Sequence, residues 1–139
     1  MQIQRVLAVD HELVAAFARL MPLLSDHAPA PTADELAEIA RGAHLLVARD
    51  PHIVGVLTLT LYRIPTGLSA RIDDVIVDTA ARGRGVGEAL TRDAIERART
   101  AGAKAVNLTS HPRRDAANRL YQRVGFERRD TNVYVYKLR

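Results

Sequence analysis

The sequence predicts an α+β fold, a mostly antiparallel sheet flanked by helices, built as one domain over residues 1–139. Three observations predict it. Short β-branched runs alternate with stretches of helical spacing, and two of those runs are divided only by the turn signal Asp50-Pro51-His52, as in a hairpin. A 139-residue chain with 47% apolar and 26% charged residues suits a single core.

The elements follow in order. Ile3 to Leu7 reads as a short strand, and Asp10 can cap a helix whose apolar positions Leu13, Val14, Phe17, Leu20 and Met21 recur at helical spacing before Pro22. The stretch MPLLSDHAPAPT holds three prolines and little periodicity, so a loop is expected there. Thr32 and Glu35 form a capping box for a short helix through about Arg41. LLVA and IVGVLTLTLY then make the hairpin, RIPTGLSA a turn-rich connection and ARIDDVIV a strand. Arg84 to Ala101 is amphipathic, with Val86, Leu90, Ala94, Ile95 and Ala98 on one stripe and Gly102 where a helix would stop. AVNLTS is a strand, Asp115 to Val124 a helix, and GFERRDTNVYVYKL two closing strands, for the order β α α β β β α β α β β.

Composition removes several chemistries. Without any cysteine there can be no disulfide, thiolate nucleophile, iron–sulfur cluster or cysteine-bearing zinc site. His11, His27, His44, His52 and His111 show no metal-ligand spacing, so no metal is expected. No apolar run approaches the roughly 18 residues of a membrane span, and the amino terminus lacks the basic flank and apolar stretch of a secretory signal. A cytoplasmic protein without a membrane partner is expected. The net charge of +4 is asymmetric: residues 1–79 carry six basic and ten acidic side chains, residues 80–139 fourteen and six. A basic half suits nucleic acid, a membrane surface or a polyanionic small molecule, or is simply solvated.

The positive excess begins at RGRGVG, residues 82–87. Glycines at the mouth of a helix leave backbone N–H groups unpaired, and the helix dipole adds partial positive charge, so the turn suits a phosphate. Arg82 and Arg84 add charged donors. The Walker pattern fails because Glu88-Ala89 follow Gly87, and the dinucleotide fingerprint fails at Glu88 and Leu90. What fits is R-x-x-G-x-G, from Arg82 through Gly85 and Gly87, preceded by IDDVIVD and followed by NRLYQRVGF.

In these stretches, covering about residues 70–127, the sequence resembles the GNAT superfamily of acyl-coenzyme A dependent N-acyltransferases. The resemblance implies acetyl-CoA as cosubstrate, lying in a splay between the strand at 71–77 and the strand at 105–109. It implies the pyrophosphate on the amides of Arg82, Gly83, Arg84, Gly85, Val86 and Gly87, and the pantetheine along Val75, Ile76 and Val77. Asn118 would contact the cofactor near its pantetheine end, and Tyr121 would be the general acid. Asp73 or Asp74 would be the base; strand alternation points them to opposite faces, and Asp73 is preferred. Each residue also has a plain structural reading: Tyr121 as core, Asn118 as surface, one aspartate paired with an arginine and the other solvated.

Thioester aminolysis agrees with these roles. It needs a neutral amine, oxyanion stabilisation and a proton for the departing thiolate, and no covalent enzyme intermediate. The expected function is N-acetyl transfer from acetyl-CoA to a primary amine on a small molecule or peptide, through a tetrahedral intermediate. The acidic amino-terminal half suits a cationic amine such as an amino sugar, a polyamine or a lysine. A non-catalytic CoA-binding regulatory module is one alternative. An arginine-rich nucleic-acid-binding domain is the other, though it would lack aromatic platforms beyond Tyr134 and Tyr136. The terminal run VYVYKL could pair across a homodimer or lie inside the sheet.

Overall fold

A computed structural model describes all residues from Met1 to Arg139. Five strands form one sheet in the order β1 (Gln2–Arg5), β2 (His44–Arg49), β3 (Ile53–Ile64), β4 (Gly67–Val77) and β5 (Val106–Asn107). The first four pair antiparallel, and β5 lies parallel to β4. A parallel neighbour needs a crossover, which α3 (Val86–Ala101) supplies. The other helices are α1 (His11–Leu24), α2 (Ala33–Gly42) and α4 (Asp115–Val124).

The period-2 rule sorts the core into two layers. Leu45 and Val47 of β2 join Leu13, Phe17 and Leu20 of α1 and Leu36 of α2 on one face, while Leu46 and Ala48 join Leu90, Ala94 and Ala98 of α3 on the other. The caps are those the sequence specifies. Asp10 accepts from the Leu13 amide at 2.9 Å, and Thr32 and Glu35 exchange both bonds of the capping box. Gly102 ends α3 in the left-handed region at φ 87°. Pro22 does not end α1; it sits in the last turn, where only one intrahelical N–H is lost, and the helix runs on to Leu24.

Three expectations are corrected. The connection RIPTGLSA is mostly strand: β3 continues to Ile64 and β4 starts at Gly67, so the turn is short. The strand expected over AVNLTS shrinks to Val106–Asn107, because only Ala70 and Arg71 of β4 offer it a ladder. The two closing strands do not form. Residues 127–139 are exposed and carry no regular structure, since a strand needs a neighbouring edge and this chain brings none to them. No helix is long and apolar enough to cross a membrane.

Candidate active site

Strand β4 ends at Val77, and Asp78 caps a single 3₁₀ turn, Thr79–Ala81, by accepting from the Ala80 amide at 3.1 Å. The turn at the α3 mouth follows. Gly83 and Gly85 have φ of 79° and 78°, and a Cβ at either would meet nothing within 4 Å. Glycine is therefore required there by backbone conformation, and the surface beside the turn stays open. Gly85 is the N-cap of α3 and has no side chain, so nothing in the chain caps the first-turn amides. Arg84 lies 3.8 Å from Asp50 across the mouth, and Arg82 is exposed.

Gly87 is needed for a different reason. A Cβ there would lie 3.1 Å from Leu120 Cδ1 and 3.6 Å from Val77 Cγ2, so the first turn of α3, the end of β4 and α4 meet at this residue. Glu88 locks the junction by accepting from Arg123 of α4 at 2.9 Å and from Arg92 at 3.1 Å. Those hydrogen bonds hold its carboxyl below the usual carboxylate range.

The β4 edge facing β5 is paired only at Ala70 and Arg71, so it has no strand neighbour along Val75, Ile76 and Val77. This is the expected splay. The end of this edge adjoins the uncapped first turn of α3, since a Cβ at Gly87 would lie 3.6 Å from Val77 Cγ2, and the two together suit pantetheine and pyrophosphate.

A bulge interrupts β4 midway. Ala70 and Ile72 pack toward α3, but Ile76 packs toward α1 and α2, and the register with β3 slips between Val56 and Thr58. One extra residue reverses the alternation, and Asp74 absorbs it at φ 52°. The expectation of opposite faces for the two aspartates fails for this reason. Asp73 pairs across strands with Thr58, and Asp74 shares a cavity with that same Thr58. Asp73 is engaged by Arg71, whose Nε lies 3.1 Å from each carboxylate oxygen. Asp74 has no such partner; partial desolvation, and then the charge of Asp73, push its carboxyl above the ordinary range.

Tyr121 is 8% exposed, its ring edge-on to Phe126 with centroids 5.8 Å apart. Burial pushes its phenol up, with Arg114 opposing, so it stays a neutral donor at ordinary pH. Asn118 donates through Nδ2 to the His111 carbonyl at 3.0 Å, which fastens the loop before α4 and leaves its carbonyl oxygen as the remaining polar group.

On the α1/α2 face, a cavity of about 210 Å³ opens against Asp74. Its walls are Phe17 and Met21 of α1, Ile39 of α2, and Pro29 and Pro31 of the intervening loop; Leu45 and Thr58 form its floor. Glu35 also lines it, its carboxyl held below the usual range by hydrogen bonds from Thr32. Leu45, Thr58 and Ile39 carried no local signal, because only sheet and helix packing brings them together. A second cavity of about 150 Å³ lies beside β1, at Gln4, Arg5 and Asp10, and shares no residue with the first. No group of three or more His, Cys, Asp or Glu side chains is placed to hold a metal ion.

Residues 11–126 match the Acetyltransferase (GNAT) family. A rice (Oryza sativa subsp. japonica) protein, probable glucosamine 6-phosphate N-acetyltransferase 2, is 33% identical, with 97% of this chain and 87% of that protein covered. Among solved structures, a putative acetyltransferase from Agrobacterium tumefaciens str. C58 superposes with a TM-score of 0.84 at 24% identity, over 99% of this chain and 100% of that one. Glucosamine-6-phosphate N-acetyltransferase from Arabidopsis thaliana gives 0.80 at 17% identity, over 97% of each chain. At these identities the two structures speak for the fold alone. The family match, spanning both the glycine turn and Tyr121, decides the rest: this chain belongs to the GNAT family and is an acetyltransferase.

Proposed function

We propose that the chain transfers an acetyl group from acetyl-CoA to a primary amine by direct attack on the thioester. One observation carries the reading: the unpaired β4 edge leads into an uncapped helix mouth that Gly83 and Gly85 leave open. The residues fit the cosubstrate on that ground. The first-turn amides at Val86 and Gly87, together with the Arg82 and Arg84 side chains, would hold the pyrophosphate, and Val75, Ile76 and Val77 would hydrogen-bond the pantetheine through the backbone.

Asp74, rather than Asp73, is the better base. It faces the cavity and is free of arginine, whereas Asp73 is committed to Arg71. A carboxylate with a raised pKa holds a proton more readily as the amine nitrogen bonds to the carbonyl carbon. As the carbon–sulfur bond breaks, Tyr121 would deliver its phenolic proton to the sulfur, and a backbone N–H of β4 would hold the oxyanion. Asn118 supports these roles indirectly, by fastening the loop that leads into α4.

A second copy of the chain is the further partner proposed. Val133, Tyr134, Val135, Tyr136 and Leu138 are 74–91% exposed in a run of strand-forming residues, while the outer edge of β5 has no strand on it. Each supplies the ladder the other lacks.

Calorimetric titration with acetyl-CoA and CoA tests the reading, repeated on Gly85→Glu. That variant projects a carboxylate beside the phosphate position at a cost of about 1–2 kcal/mol of left-handed strain. Binding by the wild type and its loss in the folded variant are expected. Tyr121→Phe should then retain acetyl-CoA affinity while kcat falls by about 10²–10⁴-fold. Failure of the well-folded wild type to bind either ligand would overturn the assignment.

A further inference from the structure

We propose that the acceptor is an amine on a compact apolar body, an arylalkylamine or branched alkylamine, and not a phosphorylated amino sugar. This rests on the acetyl-transfer reading and adds the substrate class. The cavity against Asp74 has an apolar side, formed by Phe17, Met21, Ile39 and the two prolines, and a short polar rim. That rim comprises Thr58 and two carboxylates, Asp74 and Glu35, and no arginine or lysine lines the cavity. The rim selects for charge: an ammonium group is attracted to it, and a phosphate dianion is repelled.

The walls select against hydroxyls. A sugar ring seated there would press the hydroxyls of its inner face against carbon, and each unpaired polar group opposes binding. Thr58 offers one hydroxyl, and Glu35 already spends Oε1 on the Thr32 amide at 2.9 Å. With Asp74 taken by the amine, Thr58 and Glu35 Oε2 are left, fewer than the hydroxyls of a polyol. Size agrees with an aryl or branched body. Benzene fits a space of about 150 Å³, so this half-open cavity of about 210 Å³ leaves room for a ring and a two-carbon arm. That arm would carry the nitrogen to Asp74, the β4 residue next to Val75, where the unpaired edge runs.

Relatives matched by this chain act on glucosamine 6-phosphate by name, so the two classes can be set against each other directly. The protein with acetyl-CoA is assayed for thiol release, a readout without background from this chain because it has no cysteine. Acceptors are 2-phenylethylamine, 3-methylbutylamine, glucosamine and glucosamine 6-phosphate, with acetyl-CoA binding measured in parallel. The expected result is a kcat/KM for one of the two apolar amines at least about 100-fold above that for glucosamine 6-phosphate, in line with the discrimination apolar pockets achieve. Met21→Lys, which sets a cation in the wall, should raise KM for the apolar amine about tenfold or more while leaving acetyl-CoA affinity unchanged. Ile39→Ala should raise it less.

Equal or better turnover of either sugar overturns the proposal and leaves acetyl transfer standing. Acetyl-CoA binding with no turnover of either apolar amine also overturns it. Absence of acetyl-CoA binding would instead overturn the transfer reading itself, which the parallel titration identifies.

Discussion

Gly55 of β3 is where a single methyl group should reach the mouth of α3 from behind. A Cβ there would lie 2.8 Å from Val86 Cγ1, 3.1 Å from Leu90 Cδ1 and 3.3 Å from the Ile76 carbonyl oxygen. None of these yields cheaply. Val86 is β-branched and stiff within the first turn of α3, Leu90 is fully buried behind it, and Ile76 presents backbone. Gly55→Ala must therefore push the α3 mouth away from the sheet. Overpacking of this kind costs about 1–3 kcal/mol. With an unfolding entropy near 2.1 cal/mol/K per residue, a chain of this length should lose about 3–10 °C in Tm. Because the displaced turn carries the amides assigned to pyrophosphate, CoA affinity should fall as well.

Gly42→Ala is the matched control. It lies at the end of α2, its Cβ would meet nothing within 4 Å, and its φ is not positive. Helix propensity there favours alanine by up to about 1 kcal/mol, so Tm should hold or rise by up to about 3 °C with CoA binding unchanged. Scanning calorimetry and titration of both variants give the answer. A Gly55→Ala protein with wild-type Tm and wild-type CoA affinity would refute the reasoning that this glycine sets the distance between sheet and helix.

The remaining predictions concern the base, pH and assembly. Asp74→Asn should cut kcat by about 10²-fold or more and remove an acid limb that lies above the ordinary carboxylate range, while Asp73→Asn should cost far less; the reverse ranking in steady-state kinetics would return the role to Asp73. Burial, Arg5 and Arg97 hold the folded-state pKa of His44 below its 6.5 reference. As pH falls through 6.5, the unfolded chain therefore takes up a proton that the folded chain resists, and stability is lost downward from that point. The wild type should lose more Tm between pH 7.5 and 5.5 than His44→Gln, and parallel slopes would dismiss the effect. Val135→Pro removes a ladder donor from the exposed terminal run without touching the core, so sedimentation velocity should show dimer for the wild type and monomer for the variant; a monomeric wild type would end the pairing proposal.

Much of the molecule is local, and local features are legible in a sequence. Asp10, the Thr32–Glu35 box and Gly102 act within a few residues of themselves, so each helix boundary they specify stands where expected. The glycine turn is legible for the same reason, because positive φ at Gly83 and Gly85 is a property of those residues. The Tyr121 helix also lies where its spacing places it.

What only the tertiary structure decided depends on neighbours far along the chain. A period of two sets adjacent aspartates on opposite faces; the slip against β3, between Val56 and Thr58, brings both to the Thr58 side, and there the pairing with Arg71 distinguishes Asp73 from a cavity-facing Asp74. VYVYKL and AVNLTS carry strand propensity, yet a strand exists only where another edge accepts its hydrogen bonds. Ala70 and Arg71 accept two residues of the second run, and nothing in this chain accepts the first. The cavity against Asp74 is the extreme case: α1, α2, β2, β3 and β4 each contribute to its lining, and no one of those segments shows it alone.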